Sequence, residues 1–310
     1  MTALRALTSL RVASRGSALA LAQAALAVQA LQQQDPALRI NYVQITTEGD
    51  VDRSTPLSIL GGRGVFVRGV EDALLEGRAD IAVHSMKDVP TELAPGLTIG
   101  AVLPRGDARD VLVASGGRRL ADLPAGARVG TSSQRRVAML ALMRPDIEAV
   151  EVRGNVDTRI RKVMDGELDG VLLAAAGLER LGRLAEATQL FDAQEFVPAP
   201  AQGIVAIECR EDDEAVLALL ATIDDARTRT AATAERAFLR ALGSGCTLPV
   251  GAYARLDRDL VVLRAMIQDE AVGHPIFGDG TGASGGADAL GAGMAERLTM
   301  LIDRIKAPQP

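Results

Sequence analysis

The chain has 310 residues, 48% of them hydrophobic and 2% aromatic, with no Trp and a formal net charge of −6. That length suits two or three domains with real cores, and the apolar content excludes a disordered chain. The acidic balance and the scarcity of aromatic rings exclude broad nucleic-acid binding, which needs a positive field and stacking platforms, so any arginine function is local.

From the N-terminus, Arg11 to Ser14 reads as a short strand. Ser14-Arg15-Gly16-Ser17 is a turn with capping residues, and Ala18 to Gln33 is a strong helix former. The apolar stretch before Leu31 is broken by Arg11, Arg15 and Gln23 and lacks signal-peptide order. No run approaches the roughly 18 apolar residues of a membrane span. A cytoplasmic protein without a membrane partner is expected. Ile40 to Thr46 alternates as a strand. Gly61-Gly62-Arg63-Gly64 forms a loop, followed by a helix that ends at Gly77, and Ala79 to His84 is a buried strand. Strands alternating with helices imply an α/β domain with a mostly parallel sheet.

The pattern then echoes itself. Arg128 to Gly130 is a strand, Thr131-Ser132-Ser133 a turn and Gln134 to Met143 a helix. Gly77 and Asp80 precede the apolar run from Ile81, as Gly166 and Asp169 precede the run from Gly170. Two α/β domains of one design would produce this, and so would chance similarity between ordinary helix-to-strand loops. Leu103 to Arg109 and Phe196 to Gln202 read as linkers. After Ala226 come a helix from Arg229 to Leu242, a Gly-Ser-Gly-Cys turn and strands between Val250 and Ile267. An exposed Gly-rich loop is expected over Gly278 to Gly286, then a closing helix from Ala287 to Lys306 with Asp288 as its cap.

Arginines gather at strand and helix ends: Arg15 beside Ser17, Arg135 and Arg136 after Ser133, Arg153 and Arg159 around Gly154-Asn155, and Arg180. Helix N-termini favour anions, guanidinium forks bind carboxylates, and ligands of open α/β sheets lie beyond the carboxyl ends of the strands. These side chains therefore either converge on a polyanion or stand as solvated surface charges. Asp88, in His84-Ser85-Met86-Lys87-Asp88-Val89-Pro90, is either a catalytic carboxylate or a turn cap before Pro90. His84 reads as a hydrogen-bonded core histidine. Of the two cysteines, Cys209 lies in a strand. Cys246 lies in a turn between glycines and Pro249, where a thiol can be a nucleophile, a covalent anchor or simply a structural residue. Two thiols make no disulfide framework, and no metal-ligand spacing occurs.

The segments Val12 to Ala20, Gly61 to Phe66, Ala79 to Pro90, Val129 to Arg136, Arg153 to Arg159, Ala174 to Gly182, Gln202-Gly203, Glu208 to Arg210 and Gly245-Cys246 together resemble porphobilinogen deaminases, in order and over nearly the whole chain. The resemblance implies two domains like the halves of a type II periplasmic binding protein, and a small α+β domain. Their expected spans are 1–103 with 203–222, 108–198, and 226–310. It implies condensation of four porphobilinogen molecules, with loss of ammonia, to hydroxymethylbilane, by a monomer. It implies a dipyrromethane cofactor joined to Cys246 by a thioether, with Lys87, Ser85, Ser133, Arg135, Arg136 and Arg159 binding it. Asp88 would be the catalytic carboxylate, and Arg15, Ser17, Arg153, Arg180 and Gln202 would bind substrate.

This fits the residues. Each pyrrole carries an acetate and a propionate, which arginines suit, and a carboxylate can stabilise the cation left when ammonia departs. Arg63, Gln134 and Ser244 depart from the family pattern without removing a residue the chemistry requires. A non-catalytic ligand-binding protein of the same fold would not need both Asp88 and Cys246. A cysteine hydrolase would need a base for Cys246, and the only histidines are His84 and His274.

Overall fold

The computed structural model describes residues 7–47, 67–243 and 248–307. They form two compact units, one of residues 1–106 with 204–229 and one of residues 107–203 with 230–310.

The first unit is a five-stranded sheet in the order β2-β1-β3-β10-β4. Strands β1 (Ser9–Arg15), β2 (Arg39–Ile45) and β3 (Ile81–Ser85) run parallel. Strand β10 (Val205–Arg210) pairs antiparallel with β3 and with β4 (Leu97–Val102). Helix α1 (Ala18–Gln34) buries Ala24, Ala27, Val28 and Leu31 against Leu10, Val12, Ile81 and Val83 on one face. Helix α2 (Arg68–Leu75) buries Val70, Ala73 and Leu74 against Ala13 and Ala82 on the other. With both faces covered, β3 has no polar residue before His84, as a central strand of an α/β sheet requires.

The second unit repeats this design, in the order β7-β6-β8-β5-β9. Here β6 (Arg128–Gly130) runs parallel to β7 (Glu148–Val150) and β8 (Gly170–Ala174). Strand β5 (Asp110–Ala114) pairs antiparallel with β8 and β9 (Gln189–Leu190). Helices α3 (Gln134–Met143), α4 (Val156–Met164) and α5 (Ala175–Arg180) follow β6, β7 and β8.

The internal echo is therefore structural. Gly77 and Gly166 both take the left-handed conformation, with φ of 68° and 75°. Asp80 accepts a hydrogen bond from the backbone N–H of Arg11 at 2.7 Å, and Asp169 accepts one from that of Arg128 at 2.7 Å. Each aspartate ties the start of one strand to the loop before its neighbour. The expectation of mostly parallel sheets needs refinement: each sheet has two parallel and two antiparallel pairings, because its fourth strand follows no crossover helix.

The second unit also carries an antiparallel sheet of β11 (Val250–Asp257), β12 (Leu260–Ile267) and β13 (Ile276–Ala283). After α6 (Glu214–Ala221), helix α7 (Ala226–Ala241) leads towards this sheet, and α8 (Ala287–Lys306) packs on it through Met294 and Leu298. Met266 of β12 is buried in the same cluster as Leu112, Met139 and Phe196 of the neighbouring α/β layer. The two sheets thus share a core.

The expected Gly-rich loop is instead β13. Its glycines stand at every second position, facing α8. A Cβ on Gly278 would lie 2.7 Å from the Met294 sulfur, and one on Gly280 would lie 3.0 Å from the Met294 methyl. Glycine is there because the helix lies directly on the strand. Asp288 does not cap α8: the cap position is Gly286, and Asp288 pairs with Arg240.

Candidate active site

In the first unit, the carboxyl ends of β1 and β3 carry the expected residues. Arg15 closes β1, and Ser17 caps α1, its hydroxyl accepting a hydrogen bond from Ala20 N–H at 3.2 Å. Ser85 closes β3 and receives a hydrogen bond from the buried Gln23 side chain at 2.6 Å. Met86–Asp88 then form a single 3-10 turn, closed by Val89 N–H to the Met86 carbonyl at 3.2 Å. Asp88 is half-buried at its end. Its carboxylate makes no hydrogen bond or ion pair among the described residues, so it caps nothing there.

In the second unit, the same ends of β6, β7 and β8 carry the expected groups. Ser133 caps α3, and Asn155 caps α4 with a 2.9 Å bond from Thr158 N–H. Arg153 precedes that cap, and Arg159, one turn into α4, donates to the Gly154 carbonyl at 2.8 Å. Two helix N-termini therefore stand at strand ends beside arginines, an arrangement that favours anions. Arg180 closes α5 and donates to the Gly203 carbonyl at 2.6 Å. It forms no ion pair among the described residues, and burial lowers its pKa below the usual arginine value against the opposing charge of Glu179. A desolvated guanidinium outside any ion pair among the described residues fits an anionic ligand.

Arg135 and Arg136 sit differently. Both are buried, at 4% and 6% exposure, around Asp110, which is fully buried. Arg135 donates to Asp110 Oδ2 at 2.6 Å and to the Val197 carbonyl at 2.8 Å. Arg136 donates from Nε and Nη2 to Asp110 Oδ1 and from Nη1 to the Leu172 carbonyl. Gln202 adds bonds to Asp110 Oδ1 and the Ala108 carbonyl. Burial alone would raise the Asp110 pKa, but the two guanidiniums outweigh it and hold the carboxyl far below its usual range. Gln202 follows Ala201, whose φ of 62° is unusual for a residue with a side chain; the Ala201 N–H is held by the buried Glu235 carboxylate at 2.6 Å.

Asp110 and Glu235 are the groups sequence reasoning missed. The Arg-Asp pattern of Arg109-Asp110 reads as an ordinary linker end, and only the fold shows that Asp110 begins a buried strand.

Of the two thiols, Cys209 is fully buried in β10 against Gly100, and its pKa is pushed up to about 11, chiefly by burial. It is a poor nucleophile at neutral pH. Cys246, Ser244 and the segment from Gly61 to Phe66 lie outside the described residues.

The sequence model described as "Porphobilinogen deaminase, dipyromethane cofactor binding domain" matches residues 10–218, and that of "Porphobilinogen deaminase, C-terminal domain" matches residues 229–300. A protein of Syntrophus aciditrophicus named porphobilinogen deaminase is 45% identical over 306 residues, which is 97% of this chain and 100% of the relative. One from Roseiflexus sp. is 46% identical over 290 residues, 94% of this chain and 95% of the relative. Among solved structures, the methionine-binding protein MetQ is 11% identical with a TM-score of 0.44, covering 70% of this chain and 90% of that one. On the match of both family models and of near-full-length relatives, the chain belongs to the porphobilinogen deaminase family.

Proposed function

We propose that the chain performs the family's reaction with Asp88 as its catalytic carboxylate and Cys246 as the anchor of its primer. The reaction is the stepwise condensation of four porphobilinogen molecules, with release of ammonia, to hydroxymethylbilane in tetrapyrrole biosynthesis. The observation that carries the assignment is the Asp88 carboxylate, left unengaged among the described residues at the carboxyl end of β3, where α/β sheets hold their ligands.

Loss of ammonia leaves positive charge on the substrate pyrrole. A carboxylate already in place stabilises that charge without solvent reorganisation and can hold the pyrrole proton. Arg15 and Ser17 offer donors at the end of β1, and Arg153, Arg159 and Arg180 offer guanidiniums to the acetate and propionate groups. Arg135 and Arg136 contribute differently. Arg135 gives Nη1, and Arg136 gives Nε and Nη2, to Asp110, which stiffens the start of α3 and thereby fixes Ser133, and both arginines stay candidates for the cofactor carboxylates at that helix start. Gln202 belongs to the same hub.

A dipyrromethane fits this donor set, since its carboxylates match desolvated Arg180 and the α3 and α4 N-termini. When bound, it supplies the pyrrole carbon to which the first substrate is joined. Lys87 and Ser85 are further candidate donors to it. The inaccessible Cys209 leaves Cys246 as the anchor. We further propose a monomer working in the cytoplasm. No helix among the described residues is long and apolar enough to cross a membrane.

Intact-mass measurement tests the anchor. The parent chain should carry the mass of two deaminated porphobilinogen units, and Cys246→Ala should be bare. An adduct of that mass on Cys246→Ala would overturn the assignment, and a bare parent chain would favour a non-catalytic binding protein of this fold.

A further inference from the structure

We infer that the buried pair His84–Glu208 is a positioning element for the Asp88 turn, an inference that rests on the catalytic reading of Asp88. Glu208 is fully buried in β10. Its Oε2 lies 3.0 Å from His84 Nε2, and its Oε1 has no hydrogen-bond partner among the described residues. A fully buried carboxylate is costly, because burial strips its hydration and one hydrogen bond restores only part of it. Sheet packing does not require it. Apolar side chains fill the equivalent places elsewhere in β3 and β10, and a well-packed apolar pair commonly replaces a buried hydrogen-bonded pair without loss of stability. A costly group that the core does not need points to a role next door.

The geometry says what that role is. Ala82 faces Glu208 and Ala206 faces His84 in the antiparallel register, so the two side chains meet diagonally on one face of the sheet. That face is covered by α2, whose Glu71 is an ionisable group near the pair; burial and then the Glu208 charge raise its pKa, and the Glu208 charge also adds to the rise at the neighbouring Cys209. His84 is the last residue of β3 on this face. On the opposite face, the next residue, Ser85, is held by Gln23 of α1 at 2.6 Å. Met86 N–H donates to the Ile204 carbonyl at 2.9 Å. The strand end is thus clamped from both faces and along its edge, one residue before the turn that carries Asp88.

Asp88 needs those clamps because its own carboxylate has no protein partner among the described residues. A catalytic group left unbonded so that it can meet substrate is aimed only by its backbone, and that backbone is a single 3-10 turn. Loosening the clamp should blur its position without altering how carboxylates of the substrate are bound elsewhere. The His84–Glu208 bond therefore acts on turnover and not on affinity.

The double variant Glu208→Met/His84→Met removes both partners and fills their places with apolar side chains of similar volume, and Glu208→Gln keeps the bond. The double variant should stay folded with a melting temperature near the parent, lose about 10-fold in kcat with KM within about 2-fold, and exchange the Met86, Lys87, Asp88 and Val89 amides at least about 10-fold faster, as loss of aim predicts. Glu208→Gln should keep kcat and exchange within about 3-fold of the parent, since the hydrogen bond survives. A double variant with parental kcat and parental exchange would overturn the inference, as would a Glu208→Gln variant as impaired as the double variant. Failure of the double variant to fold would overturn it too, because the pair would then be a requirement of the core. Asp88→Asn run alongside separates the two claims. If Asp88→Asn is inactive while the double variant is parental, only the positioning role fails; if Asp88→Asn is fully active, the catalytic reading fails with it.

Discussion

Asp110 Oδ1 accepts two hydrogen bonds from the Arg136 guanidinium, at 2.9 Å from Nε and 2.7 Å from Nη2, while its Oδ2 is taken by Arg135. One buried carboxylate thus anchors two consecutive arginines at the start of α3. Replacing Asp110 with Asn leaves two buried cations facing a neutral amide. Removing one partner of such a network costs about 3–5 kcal/mol. Urea unfolding at pH 7 should show a loss of that order, and a loss below about 1 kcal/mol would show the hub to be dispensable.

The same carboxylate sets an acid limit. Its folded pKa lies below the unfolded value, so its stabilisation is complete above the unfolded pKa of roughly 3.9 and is lost as pH falls towards the folded value. The stability gap between parent and Asp110→Asn should therefore be full at pH 7 and shrink below about pH 4. Unfolding midpoints measured from pH 7 to pH 3 check this; a gap that stays constant across the range contradicts it.

Cys209 should be inert in the folded chain. With its thiol pushed up to about 11 by burial, it carries almost no thiolate at pH 8. Iodoacetamide should leave Cys209 unmodified in native Cys246→Ala, as read by peptide mass spectrometry, and should alkylate it in denaturant. Rapid labelling of the native variant would mean that β10 opens far more readily than its packing allows.

The glycines of β13 make a paired test of the helix contact. A side chain at Gly278 would meet Met294 and Leu298 at 2.7 and 3.1 Å, whereas one at Gly282 would meet Leu290 at an ordinary 3.7 Å. Gly278→Val should cost about 1–3 kcal/mol by overpacking. Gly282→Ala should be near neutral. Equal melting temperatures for the two variants would remove the packing explanation.

This strand also shows where the sequence misleads. Composition marks Gly278 to Gly286 as a loop, because glycine is rare in strands. Only the partner helix explains a glycine at every second position, and that helix is contacted through tertiary packing. The alternating strand and helix segments were legible because burial on both faces of a sheet leaves continuous apolar runs, as in Ile81-Ala82-Val83. The Gly-Asp echo was legible because both aspartates bond the same backbone position of equivalent strands. Asp110 was hidden because a buried ion pair between residues 25 and 26 apart leaves no periodic trace. Likewise, no local signal distinguished Arg136, turned into the hub, from Arg180, which forms no ion pair among the described residues. The Glu208–His84 pair spans 124 residues and is equally silent in the sequence.

The role of Asp88 is tested most directly by Asp88→Asn, prepared with its cofactor attached and verified by intact mass. The substitution keeps the size of the side chain and removes the charge that would face the developing cation. Because the carboxylate bonds to no described residue, the melting temperature should stay within about 2 °C of the parent, as for a substitution that breaks no buried contact. Turnover of porphobilinogen should fall about 100-fold or more, the scale of a lost general acid–base or electrostatic group. A cofactor-loaded Asp88→Asn that turns over at the parental rate would contradict the account.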